Sequence, residues 1–123
     1  MTRCVLVIDD DPDQRRWVER LAAASGWKVL TAADGEAGLG TAQEQQPSII
    51  VLDVMMPRLN GFQTCRRLKA DPRTKDIPVI IVTAKDQPAD EFWAGEVGAA
   101  AYLAKPVDAR DLLDLLERLT ERA

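Results

Sequence analysis

The chain has 123 residues, 46% of them hydrophobic and 29% charged, with a net charge of −4. That is the size and balance of one globular domain, residues 1–123, with a core of its own; it excludes a disordered or fibrous chain and leaves no room for a second domain. No apolar run nears the ~20 residues that span a bilayer, no basic patch marks a binder of nucleic-acid backbones, and with no histidine in the chain every mechanism needing its own histidine base, ligand or phosphohistidine is excluded.

The first apolar run follows Met1 almost at once, so no signal peptide is expected. Cys4 and Cys65 carry no motif and read as reduced residues packed inside a cytosolic protein.

The elements follow in chain order. A β-rich run covers 4–8, and Asp11-Pro12 then supplies an N-cap and a proline at the first helical position. That helix runs to about Ser25, where Gly26 stops it, and Trp17, Val18, Leu21, Ala22 and Ser25 have the spacing of a buried stripe. A second run, 28–31, precedes a helix opened by Asp34-Gly35 and ended by Gln46-Pro47. A third, 49–52, precedes a helix opened by Asn60-Gly61 and ended by Asp71-Pro72. A fourth, 79–82, precedes a helix from about 88 to 96 that carries Phe92 and Trp93. The fifth run, 101–103, leads to a helix from about Asp108 to the chain end, packed through Leu112, Leu113, Leu115, Leu116 and Leu119. Runs 49–52 and 79–82 are continuously apolar, which suits strands covered on both faces. Strands alternating with helices predict an α/β fold: a (βα)5 doubly wound, five-stranded parallel sheet between two helical layers.

Ligands of such a sheet bind at the carboxyl ends of its strands. Asp9, Asp10 and Asp11 follow the first strand, Asp53 the third, Thr83 and Ala84 the fourth, and Lys105-Pro106 the fifth; Ala32-Ala33-Asp34, after the second, is less distinctive. Asp11 reads as a helix cap. The remaining carboxylates repel one another and raise each other's pKa. A hard divalent cation relieves that, and oxygen ligands with retained waters suit Mg²⁺. Such an ion beside a lysine neutralises the oxygens of a phosphoryl group in transfer.

With these residues the sequence resembles the receiver domain of two-component response regulators, the CheY-like family, whose fold is flavodoxin-like. The resemblance rests on Val5-Leu-Val-Ile-Asp-Asp-Asp11, Asp53-Val-Met-Met-Pro-Arg-Leu-Asn-Gly61, Asp76-Ile-Pro-Val-Ile-Ile-Val-Thr-Ala84 and Gly98-Ala-Ala-Ala-Tyr-Leu-Ala-Lys-Pro106, in the family's order and spacing. It implies a phosphorylation-operated switch. Asp53 would be the phosphoacceptor, forming an acyl phosphate. Asp10 would bind Mg²⁺ directly, Asp9 mainly through water, and the backbone carbonyl of Met55 would complete the ligands with Asp53. Thr83 would hydrogen-bond the phosphoryl group, Lys105 would pair with it, and Tyr102 would be the aromatic that moves with the switch. Lys105-Pro106 matches the family's cis peptide.

The resemblance also implies partners. A sensor histidine kinase or a histidine phosphotransfer protein would donate the phosphoryl group, docking on Asp13, Gln14, Trp17 and Pro106. A downstream target protein, separate unless the chain is a piece of a longer one, would meet the face of the fourth helix, fifth strand and fifth helix. The expected chain is cytoplasmic and bacterial, binds neither nucleic acid nor membrane, is a monomer or a weak phosphorylation-dependent dimer, and is no enzyme beyond its own phosphorylation and dephosphorylation.

Met55 and Lys85 stand where the family flanks the dephosphorylating water, and apolar Met55 offers that water no hydrogen bond. Ala99-Ala100-Ala101 lacks acids that DNA-binding members carry before the tyrosine. Met56 and Phe62 read as core. Two rival readings are a haloacid-dehalogenase-like Mg²⁺ phosphatase and a docking-only pseudo-receiver. The first expects its nucleophile after the first strand with an acid two residues on, and the second expects a lost acceptor or acidic pair.

Overall fold

A computed structural model describes residues 3–84 and 88–121, with 88–91 described by backbone alone. The order is β1 (Cys4–Ile8), α1 (Pro12–Ala24), β2 (Lys28–Ala32), α2 (Gly35–Gln45), β3 (Ile49–Asp53), α3 (Gly61–Ala70), β4 (Val79–Thr83), α4 (Pro88–Glu96), β5 (Ala101–Ala104) and α5 (Ala109–Thr120). The strands form one parallel sheet in the order β2-β1-β3-β4-β5. This is the five-stranded flavodoxin-like architecture expected from the alternation of runs.

Alternate residues of each strand face opposite layers. Leu6, Ile8, Ile50, Leu52, Val79 and Ile81 join a core with residues of α2, α3 and α4. Val5, Val7, Ile49, Val51, Ile80 and Val82 join a second core with Val18 and Ala22 of α1 and Leu112 and Leu116 of α5. Each fully buried Leu or Ile contributes roughly 2 kcal/mol by leaving water. Both faces are covered, so the central strands show no apolar-polar alternation.

Helix starts agree with the caps read from sequence. Asp11 accepts from the amides of Asp13 and Gln14, Asp34 from Ala37, and Asp108 from Asp111. Asn60 and Gln63 form a reciprocal capping box. Gly26 follows α1 at φ 91°, which an L side chain resists.

Several expectations need correction. Four of the strands, β2 to β5, each extend one residue beyond the apolar run, to Ala32, Asp53, Thr83 and Ala104, because ladder pairing continues under the functional residues. Ser25 is exposed and outside the α1 stripe, since it caps the helix while the chain turns away. Cys4 is only partly buried at the start of its strand; Cys65 alone is a core thiol, close to the Val97 carbonyl, and both are free. Phe62 is only half-buried against the core, whereas Met56 is buried in it as expected. The helical part of α5 ends at Thr120. No helix of the described residues is long and apolar enough to cross a membrane.

Candidate functional site

Parallel pairing brings the ends of β1, β3, β4 and β5 to one edge. Ile8 lies beside Leu52, Asp53 beside Val82, and Thr83 beside Ala104. Asp53 closes β3 with its side chain 3% exposed, and Asp9, just past β1, is 4% exposed; Asp10 faces solvent. Carboxylate oxygens of Asp9, Asp10 and Asp53 lie within 4.8 Å of one another. Asp11 is turned away: its side chain receives the amides that open α1.

Lys105 reaches in from the end of β5, with Nζ 2.8 Å from Asp53 Oδ1. Its backbone amide donates to the Thr83 carbonyl at 2.7 Å, which ties the lysine to the end of β4. The Lys105-Pro106 peptide is cis. Thr83 is buried at the same edge, and Tyr102, one strand over, is half-buried against the α4 core.

The loop after Asp53 is held closely. Amides of Met56 and Gly61 both donate to the Val54 carbonyl at 3.0 Å. A Cβ at Gly61 would collide with the Asp53 carbonyl, so only glycine lets α3 begin there. Arg58 adopts φ 65° in this loop, with its guanidinium 3.6 Å from the Asp34 carboxylate. The Met55 side chain, 69% exposed, lines a groove of about 480 Å³ with Asp10, Pro57, Asn60 and Phe62. A larger cavity, about 800 Å³, lies among Ser48, Pro78 and Thr120 at the opposite edge of the sheet, and the carboxylates take no part in it.

The electrostatics follow from burial. Desolvation raises the Asp9 pKa to about 6, against an amide hydrogen bond from Asp11, and the Asp53 charge adds to the rise. Burial also raises Asp53, opposed by Lys105. Burial lowers the Lys105 pKa, but the Asp53 and Asp9 charges outweigh it and the ammonium is held above its ordinary range.

The donor set fits a hard divalent ion. Three carboxylates converge, and Asp53 Oδ1 is one of two buried side-chain polar atoms among the described residues without an aligned hydrogen-bond partner. Lys105 approaches that oxygen at ion-pair distance, so charge rather than hydrogen-bond direction holds the pair. Three carboxylates against one ammonium leave excess negative charge there, which a bound cation would offset.

The remaining expected residues lie around this cluster. Asp13, Gln14 and Trp17 lie on the first turns of α1, with Trp17 41% exposed, and Pro106 is exposed beyond Lys105. Ala84 is exposed beside the site, and Lys85 falls outside the described residues.

Sequence reasoning missed Arg15, whose Nη1 donates to the Asp9 carbonyl at 2.8 Å and braces the end of β1. No pattern marks an arginine whose partner is backbone six residues back. It also missed a concentration of cations, Arg58, Arg66, Arg67, Lys69, Arg73 and Lys75, on α3 and its flanks. Four of these are engaged: Arg58 with Asp34, Arg67 with Glu36, Arg73 with Asp71, and Lys69 with the carbonyls of Lys75 and Ile77.

The sequence model of the response regulator receiver domain matches residues 5–117. The chain is 42% identical over 109 residues to Protein PilH of Pseudomonas aeruginosa, covering 89% of this chain and 90% of that protein. Other curated relatives are longer, and the chain spans 26% of one and 49% of another. Among solved structures, a putative response regulator from Chloroflexus aurantiacus superposes with a TM-score of 0.95 at 29% identity, over 99% of this chain and 100% of that one. The receiver domain of the sensor histidine kinase PA1611 from Pseudomonas aeruginosa, with a magnesium ion coordinated in its active-site cleft, superposes with a TM-score of 0.89 at 27% identity, over 98% of each chain.

Proposed function

The chain belongs to the response regulator receiver domain family, a family of two-component signalling domains, and we propose that it accepts a phosphoryl group on Asp53 and thereby switches its affinity for a target protein. The observation that carries this reading is one buried carboxylate with an ammonium 2.8 Å away and two further carboxylates within 4.8 Å.

Asp9, Asp10, Asp53 and the backbone carbonyl of Met55 are the groups that would hold Mg²⁺. Bound there, the ion supplies positive charge against the phosphoryl oxygens. Asp53 is the nucleophile: its carboxylate oxygen bonds to phosphorus as the phosphorus–nitrogen bond of a donor phosphohistidine breaks. The donor histidine lies outside these 123 residues, which contain none. Lys105 pairs with the acceptor carboxylate and then with the phosphoryl group, as a compact point charge. Thr83 hydrogen-bonds the phosphoryl oxygen, and Tyr102 follows it as α4, β5 and α5 repack.

The proposed donor is a sensor histidine kinase or a histidine phosphotransfer protein, seated on Asp13, Gln14, Trp17 and Pro106 around the mouth of the site. The target meets the face formed by α4, β5 and α5. The catalysis is confined to this domain's own phosphorylation and dephosphorylation. Nucleic acid is not a direct partner; the net charge of −4 supports that. Met55 in place of an acid two residues after Asp53 speaks against phosphatase turnover, and retention of all three carboxylates speaks against a docking-only role.

Intact-mass spectrometry after treatment with acetyl phosphate and Mg²⁺ tests the reading. The wild-type protein should gain one phosphoryl group, and Asp53→Asn should gain none. A full gain in the variant would falsify the assignment.

A further inference from the structure

We infer that α4 carries a docking step for a cationic amphipathic helix of another protein. The inference rests on the receiver reading and names the chemistry of the target. Phe92 and Trp93 are 60% and 47% exposed, yet α4 already serves the core through Ala94, with Val97 just beyond its end. Their rings meet edge to face at 5.3 Å and form a fixed apolar ridge. Phe92, Gly95 and Glu96 lie one turn apart on the same side of the helix. Among the described residues, a Cβ at Gly95 would have nothing within 4 Å. The ridge therefore drops to bare backbone, which leaves a step that takes an aliphatic side chain.

Charge selects the occupant. Residues 88–104 hold Asp90, Glu91 and Glu96 and no lysine or arginine. Across the edge strand β5, residues 105–121 add five carboxylates against Lys105 and two arginines, with Asp114 and Glu117 already paired to Arg118 and Arg3. A second copy docked through this same face would bring carboxylates against carboxylates. A partner helix bearing lysine or arginine beside an apolar stripe meets opposite charge, fills the step, and places a cation over an exposed indole.

The probe is a 16-residue amphipathic peptide of leucine and lysine, compared with its leucine and glutamate counterpart. Calorimetry measures binding to the unmodified and the acetyl-phosphate-treated protein, with phosphoryl load read by intact mass in the same samples. In at least one of the two forms the lysine peptide should bind at least tenfold tighter than the glutamate peptide, and more weakly as salt rises. Trp93→Ala and Gly95→Leu should each weaken it at least tenfold. Gly95→Leu replaces glycine by a better helix former, so its loss of binding is not a loss of fold.

Equal binding by Gly95→Leu, no binding to either form, or a Trp93-dependent dimer of the protein alone would each overturn the inference. An absent phosphoryl load sinks the receiver reading, while peptide binding to the unmodified protein still decides this one.

Discussion

Asp53 carries two opposing demands. Burial makes its charge costly, and Lys105, 2.8 Å away, offsets that cost. The three carboxylates of the first loop divide the work by geometry. Asp9 and Asp10 face the cluster, and Asp11 is spent on the α1 cap. We therefore expect Mg²⁺ titrations to rank Asp10→Asn above Asp9→Asn in damage. A loss of about tenfold, or 1.4 kcal/mol, is expected for Asp10→Asn, and almost none for Asp11→Asn. Equal losses at Asp10 and Asp11 would mean that the ligand register is off by one. Lys105→Ala should keep Mg²⁺ binding, or tighten it, because a competing cation has gone. The same variant should accept phosphate yet show little change at the β5 face by NMR; a normal shift there would remove Lys105 from the response. These residues were legible because each follows a strand and chemistry collects at that edge. Arg15 was not, because it acts on a backbone carbonyl, and Gly61 was legible only as a helix start, because its approach to Asp53 depends on lacking a side chain.

Among the elements, the caps set the site's geometry as much as the strands do. The capping box of Asn60 and Gln63 starts α3 where Gly61 lies against Asp53. Asn60→Ala should cost about 1 kcal/mol of stability in a denaturant melt, and it should slow acetyl-phosphate labelling by loosening the loop after Asp53. Labelling at the wild-type rate with the full loss of stability would confine the cap to a folding role. On α1, the exposed Trp17 indole is placed for a macromolecular donor. Trp17→Ala should slow transfer from a phosphohistidine protein while leaving acetyl-phosphate labelling intact, since a small donor needs no docking face. Equal slowing with both donors would make Trp17 a packing residue. Helix boundaries were legible because Asp11, Asp34, Asn60 and Asp108 announce them. Strand ends were short by one because Asp53, Thr83 and Ala104 lack the apolar signature while still pairing in the ladder. The α1 stripe overreached to Ser25 because periodicity continues into a cap that structure turns outward.

At the scale of the whole molecule, the acidic cluster opposes the fold that presents it. Asp9 has a folded pKa of about 6 against an ordinary 3.8. Between those values the folded state binds more protons than the unfolded state, so stability falls as pH rises through the window and levels off above it. By linkage, Asp9 alone makes the metal-free protein about 1.4 kcal/mol more stable at pH 5 than at pH 7.5, and the raised Asp53 acts in the same direction. Asp71 and Glu117, both lowered by arginine partners, act oppositely, but only as pH falls through and below their ordinary carboxylate range. Thermal melts in chelator should therefore show a midpoint several degrees higher at pH 5 than at pH 7.5. Asp9→Asn should flatten that difference and raise the midpoint at pH 7.5. Mg²⁺ should stabilise the wild type at pH 7.5 by mass action and lose much of that effect at pH 5, where protons compete for the same carboxylates. A metal-free midpoint that climbs from pH 5 to pH 7.5, or an Asp9→Asn variant less stable than wild type at pH 7.5, would show that the Asp9 charge supports the fold instead of straining it.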